Sequence, residues 1–117
     1  MSTPTIIAIH EMVGYLILLI TVVLSTWNVI RISAKLKGPS LRLVVVGLIH
    51  LQVLFGIVAL IMYPRGGLFL LHPLSMIIAA VVITMMTRKQ LQPRTHVWGY
   101  ILTSLLLIVG VQFASLA

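Results

Sequence analysis

Four histidines are the side chains of this 117-residue sequence that are best suited to binding a cofactor. They are His10, His50, His72 and His96, and each falls in a different apolar run. Glu11 is the only carboxylate, and the chain has no cysteine. Imidazole is a common ligand for metal ions and haem iron, and ionisable groups within apolar segments usually mark function. The pattern therefore favours ligation of a metal or a haem by histidine.

The same composition excludes several kinds of chemistry. A single carboxylate cannot form a catalytic acid pair, a carboxylate-bridged di-metal site or a proton relay of several acids. Ser75 lies near His72, but no acidic residue completes a hydrolytic triad there. Without cysteine, thiolate metal sites and covalent c-type haem are excluded. Haem ligation, a histidine-rich metal site, chlorophyll-type ligation and plain structural roles remain open.

The apolar runs that carry the histidines predict four helices, at about 4–32, 40–62, 68–87 and 95–117, within a single domain spanning residues 1–117. Hydrophobic residues make up 61% of the chain and charged residues 8%. Each run is long enough to cross a hydrocarbon core of about 30 Å, where backbone groups must bond within their own segment. Because the loops are short, neighbouring helices must be antiparallel. We expect an all-α, membrane-embedded antiparallel four-helix bundle.

The basic residues predict the orientation of these helices. The net charge is +7, and seven of the eight basic side chains flank the first and third loops. These seven are Arg31, Lys35, Lys37, Arg42, Arg88, Lys89 and Arg94, while Arg65 alone marks the second loop. Basic loops stay cytoplasmic, so both termini should be non-cytoplasmic. We expect an integral protein of a prokaryotic cytoplasmic membrane, with the lipid bilayer as a partner and no nucleic acid.

Depth in the membrane pairs the histidines. At about 1.5 Å per residue, His10 lies about 9 Å and His72 about 6 Å below the outer ends of helices 1 and 3. These helices are diagonal in an up-down bundle, so the two imidazoles can meet across the core, as a six-coordinate haem requires. His50 and His96 form the other diagonal pair and predict a second haem. Their depths agree less well, at about 15 Å and 2 Å from the inner ends.

Small residues accompany all four histidines on the same helix faces, three or four positions away. They are Gly14, Gly47, Ser75 and Gly99. A flat macrocycle needs such clearance beside its ligand, although small residues also let transmembrane helices approach one another. Arg65 is the only basic side chain on the outer side and is expected to pair with a haem propionate. Pro73 predicts that helix 3 begins or bends at His72.

Two segments resemble the haem A synthase family. The stretch HLQVLFGIVALI from His50, followed by a short loop and LLHPLSMIIAAVVI, is similar to a family helix bearing Gln and Gly that precedes a helix opening with a haem-ligating histidine. IAIHEMVGYLILL resembles the preceding family helix with the partner ligand. The resemblance covers about residues 6–84. It implies that His10 and His72 ligate a b-type haem.

The sequence also departs from that family. The family usually carries a glutamate one turn before the first ligand and an arginine just after it, where this chain has Ile7 and Glu11. The family also has two four-helix halves, and this chain has the size of one. The resemblance therefore extends to the haem pair, and not to the oxygenation of a haem methyl group.

The sequence supports two main functional hypotheses. The first is a b-type cytochrome that binds one or two haems b and relays electrons as a subunit of a larger respiratory or photosynthetic complex. Its partners would be a quinone and other membrane subunits or copies of itself, and it would be an electron carrier rather than a stand-alone enzyme. The alternative is a redox-silent accessory subunit with a structural or pigment-binding role. A haem-modifying enzyme is disfavoured by the single carboxylate.

Overall fold

The computed structural model describes residues 5–115 and contains four α-helices. These are α1 (Thr5–Ser33), α2 (Arg42–Met62), α3 (Leu71–Met86) and α4 (Pro93–Ala114), and a 3-10 turn over Gly67–Leu70 precedes α3. No strand occurs within the described residues. The predicted start of helix 1 at residue 4 and the predicted end of helix 4 at residue 117 lie outside them.

All four helices are long and apolar enough to cross a membrane when the 3-10 turn is counted with α3. The resulting spans have 29, 21, 20 and 22 residues. About 20 helical residues are needed to cross the hydrocarbon core, so each span reaches that length. The chain is therefore all-helical, with four candidate membrane spans, as the apolar runs predict.

The helix ends follow from local backbone chemistry. Pro93 is the first residue of α4, where its missing N–H would have no partner in any case. Leu41 adopts a left-handed conformation, with φ of 52°, and so α2 begins at Arg42 rather than at residue 40. Pro73 lies in the first turn of α3, again among N–H groups without partners in the helix. The helix thus begins just before His72, as Pro73 predicts.

The helices contact one another in a ring. Helix α1 packs against α2 and α4, and α3 packs against the same two helices. Within the described residues, α1 does not contact α3 and α2 does not contact α4. The centre is filled by buried side chains from all four helices: Ile17, Val45, Ile49, Ala79, Ala80, Ile83, Tyr100 and Leu107. Helices 1 and 3 are therefore diagonal to one another.

The first loop is fastened to the end of α1 by polar side chains. Trp27 donates from Nε1 to the carbonyl of Pro39 (2.9 Å). Asn28 is completely buried, and its Nδ2 donates to the carbonyls of Leu24 (2.9 Å) and Ser40 (2.7 Å). Arg31 donates from Nη2 to Asn28 Oδ1 (2.9 Å). Asn28 therefore satisfies its own amide while it holds the loop against the helix.

We predict that Asn28→Ala loosens this loop. The substitution leaves the Ser40 carbonyl without its donor and should destabilise the fold by about 1–3 kcal/mol. Trypsin cleavage after Lys35 and Lys37, followed in detergent by mass spectrometry, should become faster. Thr26→Ala is the control, because the Thr26 hydroxyl is exposed and bonds only to the Val22 carbonyl of its own helix. Equal cleavage rates in the two variants would contradict the anchoring role of Asn28.

Candidate functional site

The structure brings His10 of α1 and His72 of α3 face to edge, near the end of the molecule that carries the second loop. Their ring centroids are 6.2 Å apart, and their planes make an angle of 72°. The backbones of α1 and α3 are not neighbours, so the two imidazoles span the distance between these diagonal helices. Two imidazole rings at this separation are a candidate ligand pair.

His10 lies on a surface of α2 shaped by Gln52 and Gly56. A Cβ atom on Gly56 would be 3.0 Å from Cε1 and 3.3 Å from Nε2 of His10, so glycine leaves room for the ring. A Cβ atom on Gly14 would be 2.6 Å from Nε2 of Gln52. Each helix thus contributes one polar side chain and one glycine, four residues apart. The glycine of one helix accommodates the polar side chain of the other.

Gln52 controls which nitrogen of His10 carries a proton. Its Nε2 donates to the His10 carbonyl (2.6 Å) and lies 2.9 Å from His10 Nδ1. The amide group nearest that carbonyl must be the NH₂, because two oxygens would repel each other. Nδ1 of His10 therefore accepts a hydrogen bond in this arrangement, and the proton of the neutral ring lies on Nε2.

His72 has the opposite tautomer. Its Nδ1 donates to the carbonyl of Gly110 in α4 (2.8 Å), which leaves a lone pair on Nε2. The pair of rings thus combines one Nε2–H donor with one Nε2 acceptor. Both Nε2 atoms can bind one metal only if the proton on Nε2 of His10 leaves the ring or moves to Nδ1. A proton on Nδ1 would need the oxygen of Gln52 as its acceptor. Oε1 of Gln52 is buried and has no partner among residues 5–115 in the present arrangement.

A cavity of about 240 Å³ adjoins the two histidines. Its wall is mostly apolar and also includes Glu11 and Arg65. The Arg65 guanidinium lies 3.9 Å from the centre of the Phe69 ring, which is itself 5.7 Å from the His72 ring. Pockets for organic ligands usually measure about 300–1,000 Å³. A large flat ligand would therefore need the helix ends around this cavity to move apart.

The structure does not bring His50 and His96 together. His50 is exposed on α2, and its Nδ1 donates to the carbonyl of Val46 (2.7 Å). His96 at the start of α4 bonds through Nε2 to the carbonyl of Arg88 (2.5 Å). Their helices are not in contact. The structure therefore gives no support to a haem bound by His50 and His96 of one chain.

The four predicted small residues fall into different environments. Gly14 borders the histidine cavity. Ser75 and Gly99 instead lie between α3 and α4, where Ser75 Cβ is 3.1 Å from the Cβ position of Gly110 and Gly99 faces Met86. Gly47 is exposed, with nothing within 4 Å of its Cβ position. Helix approach therefore accounts for Ser75 and Gly99, whereas Gly14 makes room for the Gln52 amide.

Three residues of the site were not singled out from the sequence. Gln52 and Gly56 enter the sequence argument only within the stretch that resembles haem A synthase, and neither they nor Gly110 are predicted to contact a histidine. Gln52 and Gly56 are four residues apart, as are His10 and Gly14, and this matched spacing was the available signal. To use this signal, one must know which residues of α1 lie beside which residues of α2. The spacing of residues along a single helix does not give that information.

Comparison with known proteins returns no match for the chain, whether among protein-family models, curated proteins or solved structures. The geometry of the histidine site is therefore the main guide to the function of the chain.

We predict that Gly14→Ala disturbs the His10 site, whereas Gly47→Ala does not. The new Cβ at position 14 would displace the Gln52 amide from His10 and should cost about 1–3 kcal/mol, through overpacking and broken hydrogen bonds. At position 47 the space is open, and alanine favours helix by up to about 1 kcal/mol. Thermal unfolding in detergent should give a lower Tm for Gly14→Ala only. Equal effects would contradict the described packing.

Proposed function

We propose that this chain is a small membrane b-type cytochrome in which His10 and His72 ligate one haem. The separation of the two rings is the observation that carries the proposal. Imidazole nitrogens bind metals at about 2.0–2.1 Å, so two imidazoles on opposite sides of one metal have ring centres roughly 6 Å apart. The observed distance of 6.2 Å is close to this value.

The partners of the two rings also support ligation. Histidine ligands generally donate their second N–H to a carbonyl or carboxylate, which fixes the ring and its tautomer. His72 already makes such a bond to Gly110. For His10, a comparable bond would require its proton to move to Nδ1 and the Gln52 side chain to shift, so that its unpartnered oxygen faces Nδ1 without approaching the His10 carbonyl. Gly56 leaves the space against α2 that the His10 ring itself occupies.

A haem held in this way would supply reversible one-electron chemistry. With both histidines as ligands the haem iron would have no open position, which would favour electron transfer over oxygen chemistry. The chain contributes the ligands, the apolar wall that limits contact with water, and Arg65 near the cavity. We propose an electron carrier within a larger membrane complex, with a quinone as a suitable exchange partner.

The proposed setting is an antiparallel four-helix bundle with both termini on the non-cytoplasmic side. The ring of helix contacts and the four apolar spans agree with such a bundle. The seven-to-one distribution of basic side chains supports the orientation. The histidine cavity, which includes Arg65 of the second loop, then lies near the outer face.

A redox-silent accessory subunit is the second candidate. The observation in its favour is that His10 and His72 are already hydrogen-bonded, to Gln52 of α2 and to the Gly110 carbonyl of α4. Each bond ties two neighbouring helices together, so both imidazoles also have a purely structural use. The spectrum of the purified protein separates the two candidates.

We predict a reduced b-type α-band when the protein is purified from haem-replete cells and treated with dithionite. His10→Ala and His72→Ala should each abolish the band or give a five-coordinate haem that binds carbon monoxide. His96→Ala removes an imidazole distant from this cavity and should leave the spectrum unchanged. A colourless parent protein, or six-coordinate low-spin spectra in both ligand variants, would overturn the assignment.

The orientation gives a second prediction, which uses the absence of cysteine from the chain. In intact cells, a membrane-impermeant maleimide should label Gly66→Cys in the second loop. It should label Lys37→Cys in the first loop only after the cells are permeabilised, because that loop carries the cytoplasmic basic residues. The reverse pattern would place the histidine cavity on the cytoplasmic side.

A further inference from the structure

Two half-buried arginines lie at the end of the molecule that carries the first and third loops. Arg31 is in the last turn of α1, and Arg42 is the first residue of α2. The carbonyl of Ser40 accepts from Asn28, to which Arg31 bonds, and the Ser40 hydroxyl accepts from the backbone N–H of Arg42 (3.3 Å). Both guanidinium groups also act electrostatically on Tyr100 of α4. The two positive charges therefore belong to one cluster.

Both guanidinium groups are held in place and still have donors to spare. Arg31 donates to Asn28 Oδ1 from Nε (3.3 Å) and from Nη2 (2.9 Å). Arg42 donates from Nε to Thr87 Oγ1 (2.8 Å) and from Nη2 to the Thr84 carbonyl (2.9 Å). A guanidinium has five N–H donors, and Nη1 of each arginine has no partner in the described part of the chain. Each Nη1 can therefore donate to a further ligand.

The charge of this cluster is not balanced by the side chains around it. The acceptors that hold the two arginines are uncharged, and Glu11, the only carboxylate side chain, lies near the opposite end of α1. Five more basic side chains are exposed in or beside the first and third loops: Lys35, Lys37, Arg88, Lys89 and Arg94. Charges that are partly withdrawn from water require a partner to offset the lost hydration. The cluster therefore calls for an anionic ligand.

We propose that Arg31 and Arg42 bind the phosphate group of an anionic phospholipid. Arginine donates through a planar fork that matches the oxygens of a phosphate. Both arginines lie at the ends of membrane-length helices, where the hydrocarbon core gives way to lipid headgroups. A phospholipid is held at that level by its own chains, whereas a free phosphate ion must leave water to reach it. The proposal rests on the membrane-spanning helices of the proposed function but not on haem.

The fixed arginines and the exposed basic side chains have different parts in this binding. Attraction by exposed charges is screened over about 8 Å at physiological ionic strength. Each such charge adds little to the strength of a contact, because a long and mobile side chain must be ordered. Arg31 and Arg42 are already ordered by their bonds to Asn28, Thr84 and Thr87. They therefore determine where the headgroup binds, while the lysines and arginines of the loops attract it.

Titration of the detergent-solubilised protein with dioleoylphosphatidylglycerol, followed by native mass spectrometry, tests the site. Arg31→Gln should weaken lipid binding about three- to ten-fold, the range expected for one hydrogen bond. Lys89→Gln is the matched control, because it removes the same charge from the exposed third loop, and it should have a much smaller effect. Equal losses in the two variants would show attraction by net charge alone and would overturn the proposal.

A second pair of variants keeps the charge and changes only its shape, so that a loss of binding is not a loss of net charge. Arg31→Lys and Arg42→Lys should each weaken binding of the same lipid, because lysine lacks the planar fork. Thermal unfolding without added lipid checks that both variants are folded. Binding as tight as that of the parent in both folded variants would overturn the assignment to guanidinium groups.

Two further probes identify the source of the phosphate. Dioleoylphosphatidylcholine has a phosphate but no net charge, and it should bind more weakly than dioleoylphosphatidylglycerol. Inorganic phosphate should not displace the anionic lipid at millimolar concentration. Displacement that depends on Arg31 would assign the site to a soluble phosphate and overturn the lipid assignment. The haem spectrum of Arg31→Gln should equal that of the parent, so failure of this proposal is distinguishable from failure of the haem assignment.

Discussion

The need to satisfy polar groups within the protein shapes most of this structure, because all four helices are apolar enough to cross a membrane. Hydrocarbon offers no hydrogen-bond partners, so backbone groups bond within helices and polar side chains must find partners inside the protein. Asn28 and Gln52 are the clearest examples: the amide of Asn28 in α1 donates to the Ser40 carbonyl of the first loop, and the amide of Gln52 in α2 bonds to the His10 ring of α1. The buried hydroxyls of Thr21, Ser25 and Thr103 have no partner among residues 5–115.

This constraint also explains how much of the fold is predictable. Run length, loop residues and the need for internal backbone bonding specify four helices, and the described ends differ from prediction by two or three residues at most. Short antiparallel connections place helices 1 and 3 on a diagonal, and similar depths then bring His10 to His72. These features depend on the lengths of the apolar runs and on their order along the chain, both of which can be read from the sequence.

The direction in which each helix faces is harder to predict. These helices are apolar on nearly all sides, so the hydrophobic period that orients a helix in a soluble protein is weak here. His50 was expected to point inward toward His96, yet it is exposed. Ser75 was expected to clear space beside His72, yet it faces Gly110 of α4. Both differences come from rotation about a helix axis, which is decided by close contacts between glycines and side chains of neighbouring helices.

The helices are connected differently at the two ends of the molecule. At the end with the first and third loops, Asn28 fastens a loop to α1 and Arg42 of α2 binds the end of α3. At the other end the helices enclose the histidine cavity, whose histidines meet only at a ring contact. A ligand larger than this cavity would have to spread the surrounding helix ends, and this would strain the bonds from His10 to Gln52 and from His72 to Gly110. The bonds of Asn28 and Arg42 lie outside the cavity wall, so such spreading would leave the order of the helices intact.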